Sequence, residues 1–186
     1  MTSGPLSPPA VAALLQSAAA TIHAELAALP APVLEFHPAE GEWCAKEVLG
    51  HLIECEKRGF SGRIRVILKS DEAPQLEGWD QDAVARARKD CEREWPVLYD
   101  EFSRLRTASV AQVAGLSPAD LARRGQHPKV GVLTVADLLH EWVHHDRNHI
   151  RQMLANVQAF AWPHMGNAQR YSAPSPRPPA IARPST

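Results

Sequence analysis

Apolar residues recur at three- and four-residue intervals in four long stretches of this chain, and proline, glycine or short polar runs separate them. Val11, Leu14, Leu15, Ala18, Ile22, Leu26 and Leu29 form one stripe, the mark of a helix that buries a single face. Pro8 and Pro9 suit its first turn, where a missing N–H costs nothing, and Pro30 and Pro32 end it. Val48, Leu49, Leu52, Ile53, Phe60, Ile64 and Ile67 predict a second helix of about seven turns, stopped by "SDEAP" at 70–74. Asp80 opens a short polar helical segment. Pro96 then fits the first turn of a third long helix carrying Leu98, Phe102, Leu105, Val110, Val113 and Leu116, which Gly115 and the following "LSP" close.

Thr134 and Asp137 stand three residues apart before the last apolar stripe, the spacing of a reciprocal cap in which each side chain takes the other's backbone N–H. They predict the start of a fourth helix. No window alternates apolar and polar residues as a half-buried strand does, so the expected fold is an all-α four-helix bundle with little or no sheet. Sites in such bundles are built between facing helices. The 186 residues fit one domain: a leader over 1–9, the bundle over 10–171, and a tail over 172–186. That tail, "SAPSPRPPAIARPST", is too rich in proline and serine to bury much surface and is expected to be extended or disordered.

Charge and cysteine usage narrow the partners. Twenty Lys and Arg against 21 Asp and Glu give a formal charge of −1, with no basic field to attract nucleic acid or an anionic membrane. The apolar N-terminal stretch has no basic segment before it and is interrupted by His23 and Glu25, so it reads as a soluble helix rather than a signal peptide or a membrane span. Cys44, Cys55 and Cys91 lack CxxC spacing, which argues against a disulfide framework and a cysteine-only zinc site, and fits a reducing cytoplasm. Small-molecule partners suit this balance best.

The candidate chemistry lies in "LLHEWVHHDRNHIRQML", residues 138–154. On a helical wheel Val135, Leu139, Trp142, Ile150, Met153 and Val157 define one face; His149 falls on it and His145 lies at its edge one turn earlier. His140 and His144 point away. Two imidazoles four residues apart lie close enough to chelate one ion. A third ligand must come from another helix, and His51 borders the apolar stripe of the second helix; the plainer reading of His51 is an edge histidine donating one hydrogen bond. Cys55, one turn on, reads either as a thiolate ligand or as a small apolar filler. Asp146 projects from the apolar face, where an unpaired carboxylate is costly. It either pairs with Arg106 to fix helix register or orients a ligating imidazole. Gln152 and Trp142 border the pair and are candidates for shaping a pocket beside the ion. His37 and His127 each precede a proline and read as turn residues.

Two segments of the chain resemble a known family. "GEWCAKEVLGHLIECE" and "GQHPKVGVLTVADLLHEWVHHDRNHIRQM" are similar to the W-S-x-x-E-V-L-G-H-L and H-P-x-x-G…W-x-x-H-D-x-x-H-x-x-Q segments of DinB/YfiT-like proteins. With the helices between them they span roughly residues 10–165, and together they are far more specific than HxxxH alone. The resemblance implies an up-down-down-up bundle, a divalent metal, zinc or nickel, held by His51, His145 and His149, and a homodimer. Cys44, Glu54 and Cys55 depart from the usual residues at their positions. Characterised relatives include enzymes that use low-molecular-weight thiols such as bacillithiol or mycothiol. The leading expectation is therefore a metal-dependent S-transferase or hydrolase acting on a small electrophile, and the rival is a non-catalytic, stress-associated metal-binding protein that engages a partner.

Overall fold

A computed structural model describes residues 4–172 and is dominated by helix; the expected tail lies outside the described residues apart from Ser172. Helix α1 spans Pro8–Ala28 and the short α2 Ala31–Leu34. Helices α3, Ala45–Glu54, and α4, Ser61–Lys69, are joined by a π-helical turn over Cys55–Gly59. Helix α5 runs Gln81–Arg88, α6 Trp95–Ala114, α7 Pro118–Leu121 and α8 Val135–Ala161. Asp80 caps α5 by accepting the Ala83 N–H at 3.0 Å. Thr134 and Asp137 form the expected reciprocal cap of α8, with N–H to oxygen distances of 2.9 and 3.0 Å.

Two features differ from the sequence reading. The second helix is not continuous: its ladder widens at Cys55–Gly59, where the Phe60 N–H reaches back to the Cys55 carbonyl at 2.8 Å. The extra residue turns Cys55 and Glu56 inward, so His51 through Glu56 are all buried. Residues Arg124–His127 and Gly131–Thr134 pair as a two-stranded antiparallel hairpin, β1 and β2. Each strand has four residues, too few to register as an alternating pattern, and Gly131 supplies the positive φ of 79° that closes the turn.

The four long units are α1, α3 with α4, α6 and α8. Both α1 and α3 pack against α6 and α8, so the first two long units occupy opposite corners; the chain runs up-down-down-up. This order requires a long return between the second and third helices, which residues 70–94 provide. The return closes tightly on α3 at Gly50, where an added Cβ would stand 1.8 Å from the Asp90 carboxylate. Arg88 holds that contact by pairing with both Asp90 at 2.5 Å and Glu54 at 2.7 Å. By length and composition α1 is apolar enough to cross a membrane, yet Val11, Leu15, Ala18, Ile22 and Leu26 are buried within the bundle.

The core falls into two apolar clusters separated by a polar layer. Along α1 the first cluster ends at Leu15 and the second begins at Ala18; along α8 the boundary lies between Trp142 and Ile150, and along α6 between Val113 and Phe102. Arg106, Asp146, His145 and His149 occupy that gap in sequence. Arg106 donates to Asp146 at 2.5 and 3.1 Å, to Glu56 at 2.7 Å and to the Leu15 carbonyl at 3.0 Å. All three charged side chains are almost fully buried. Removing the cation leaves two carboxylates desolvated, so Arg106→Met should lower unfolding free energy in urea by about 3–5 kcal/mol at neutral pH. A loss below about 1 kcal/mol, the scale of an exposed pair, would contradict this role.

Candidate metal centre

Helices α3 and α8 bring His51, His145 and His149 together. The Nε2 atoms of His51 and His145 lie 3.0 Å apart, and those of His145 and His149 3.2 Å apart. One ligand atom from each of the three falls within 4.8 Å of the other two. An ion about 2.1 Å from each nitrogen would space them by about 3.0 Å at right angles and about 3.4 Å in a tetrahedron, and the His51–His145 and His145–His149 spacings both fall in that range. His140 and His144 stand outside: His140 accepts the Leu6 N–H and donates to the Ala136 carbonyl, while His144 meets Asn148.

The imidazoles are held neutral. Burial keeps His51 and His145 well below the ordinary imidazole range, and neighbouring imidazoles reinforce the effect; His149 is also lowered by burial, partly offset by Gln152 and Asp146. Neutral imidazole is the form that ligates metal. Gln152 Oε1 lies 2.9 Å from His149 Nδ1, so its carbonyl accepts from Nδ1–H and leaves the Nε2 lone pair facing the cluster. The buried Nδ1 atoms of His51 and His145 meet no protein partner among the described residues.

The remaining sequence candidates take different places. Asp146 bonds to Arg106, which matches the ion-pair reading rather than a hydrogen bond to an imidazole. Trp142 is wholly buried in the core and stacks on Phe60, whose ring meets His145 edge to face. The Cys55 thiol approaches His51 at 3.3 Å and His145 at 3.7 Å, and burial pushes its pKa up, which keeps it a thiol in the metal-free protein. His127 ends β1, facing Arg63 at 3.0 Å.

Sequence reasoning missed two flanking tryptophans. Trp43 lies 5.0 Å from the His51 ring between centroids, and Trp79, from the return segment, stacks on His51 at 5.8 Å. Arg58 places its guanidinium 5.5 Å over the Trp79 ring. Trp43 sits inside the "GEWCAKEVLGH" segment and was open to notice there; Trp79 belongs to no periodic pattern and carried no signal.

Fold and centre together define a four-helix-bundle protein with three converging histidines able to hold a metal ion. The DinB superfamily model matches residues 13–153, and the chain belongs to that superfamily. No curated protein matches it in sequence. Among solved structures, YfiT from Bacillus subtilis, described as "a probable metal-dependent hydrolase with an unusual four-helix bundle topology", superposes with a TM-score of 0.77 at 17% identity, over 87% of this chain and 94% of YfiT. That likeness establishes the shared fold.

The neutral triad has a consequence for stability in the metal-free protein. Unfolded imidazoles take up protons near pH 6.5, whereas the folded triad is held below that value, so under acidification the unfolded chain binds more protons and stability falls. The urea midpoint of chelator-treated protein should drop between about pH 7 and about pH 5, and drop less steeply in His145→Gln. An equal slope in the two proteins would contradict a neutral triad.

Proposed function

We propose that the protein is a metal-dependent enzyme in which His51, His145 and His149 hold a single divalent ion, zinc or nickel, and that it acts on a small electrophile by S-transfer or hydrolysis. The observation that carries this reading is the convergence of three neutral imidazoles from two helices. Three protein ligands leave coordination positions open, which is the pattern of catalytic rather than structural sites. When bound, such an ion lowers the pKa of a thiol or water and supplies a nucleophile at neutral pH.

The chain's own residues supply the rest. Gln152 fixes the ring of His149 through Nδ1, and the Arg106 clamp holds Asp146, next in sequence to His145, against α6. Trp43 and Trp79 flank His51 and would give the substrate an apolar wall, with Arg58 over the Trp79 ring for a negatively charged portion. A low-molecular-weight thiol as co-substrate distinguishes S-transfer from hydrolysis.

Metal-loaded protein screened against a generic electrophile, with and without a panel of such thiols, tests this directly. His149→Ala should lose metal and reduce turnover at least about 100-fold, equivalent to about 2.7 kcal/mol of transition-state stabilisation. Gln152→Ala should weaken metal retention about 10- to 100-fold, and His144→Ala should leave both properties near wild type. Equal turnover by His149→Ala and wild type would reject the metal-centred mechanism and favour a non-catalytic protein that engages a partner.

A further inference from the structure

A second group of metal-ligating side chains lies away from the histidine triad. His37 belongs to the loop after α2, Cys44 is the residue that precedes α3, and Cys91 lies in the 3-10 turn Asp90–Glu92 of the return segment. One ligand atom from each falls within 4.8 Å of the other two. Cys44 and His51 are seven residues apart on α3, about 10 Å along its axis, so a single ion cannot serve both groups. We infer that His37, Cys44 and Cys91 form a second metal site, selective for a borderline-soft divalent cation such as zinc, that ties the start of α3 to the return segment.

The donor set suits that cation: two thiols and one imidazole match zinc's preference for sulfur and nitrogen. Ion-to-sulfur distances of about 2.3 Å and ion-to-nitrogen distances of about 2.1 Å need ligand atoms about 3.6–3.8 Å apart in a tetrahedron. Inward shifts of less than about 1 Å per ligand close the gap from the present spacing. Glu47 supports the arrangement twice. Its Oε2 accepts from the Cys44 backbone N–H at 2.9 Å and lies 2.8 Å from His37 Nε2, the carboxylate–imidazole pairing that orients metal-bound histidines and raises their basicity.

A disulfide between Cys44 and Cys91 is the competing use of the pair. A disulfide would need an oxidant to remove two electrons from the pair, whereas a divalent cation takes both sulfurs as thiolates with no redox change and engages His37 as well. A disulfide also leaves His37 and its bond to Glu47 without a purpose, whereas a metal uses every member of the group. With its fourth position taken by water, the second ion would differ from the triad's in role by bridging two elements: it would brace the helix that carries His51 against the segment that carries Trp79.

Zinc stoichiometry of the full chain, reduced, stripped with chelator, reloaded and dialysed, tests the inference. Wild type should retain two equivalents of zinc, and Cys91→Ser and His37→Ala should each retain one. Cobalt-loaded wild type should show a thiolate-to-cobalt charge-transfer band that survives Cys55→Ser and His149→Ala but is lost in Cys91→Ser. If the triad binds no metal, wild type retains one equivalent and Cys91→Ser none, so failure of the proposed function remains distinguishable. Equal zinc content in Cys91→Ser and wild type, or a Cys44–Cys91 disulfide forming in air in zinc-loaded protein, would overturn the second site.

Discussion

A single buried cation, shared by two buried carboxylates, constrains all four long helical units at once. Arg106 comes from α6, Asp146 from α8 and Glu56 from the π-helical turn between α3 and α4, and the same guanidinium also reaches the Leu15 carbonyl of α1. Burying these charges is expensive, and their mutual attraction does little more than offset desolvation. What the cluster supplies is position. Asp146 follows His145 by one residue and Glu56 follows Cys55 by one, so fixing the two carboxylates fixes the rotation of the elements that carry the imidazoles and the adjacent thiol.

The polar layer built around that cation also explains why the core is divided. Apolar packing alone would permit α8 to rotate or slide against α6 with little penalty, because one leucine contact resembles another. A bidentate ion pair permits one register. The histidine triad sits in the same layer, where burial holds the rings neutral, and the aromatic rings of Trp43, Trp79 and Phe60 flank the triad. The requirements of fold and site therefore coincide at one level of the bundle.

Much of this was legible in the sequence because helices announce themselves through periodicity and caps. The Thr134–Asp137 pair marks the start of α8, and helical periodicity alone separates His145 and His149 from His140 and His144. The partner of Asp146 was not legible. Both an imidazole and Arg106 satisfied the cost of burial, and only the packing of α6 against α8 distinguishes them. The π-helical turn was invisible for a related reason: Leu52, Ile53, Phe60 and Ile64 fit a continuous apolar stripe, and one inserted residue changes which neighbours turn inward without disturbing composition. Trp79 and the His37, Cys44 and Cys91 group depend on where the return segment closes, and that closure rests on a close approach at Gly50 that no local pattern encodes.

The proposed chemistry turns on whether the three imidazoles ligate one ion. Anomalous diffraction from crystals of the protein saturated with zinc or nickel tests it most directly. An anomalous peak is expected about 2.0–2.2 Å from one ring nitrogen of each of His51, His145 and His149. Metal-saturated crystals with no peak among those three rings would contradict it.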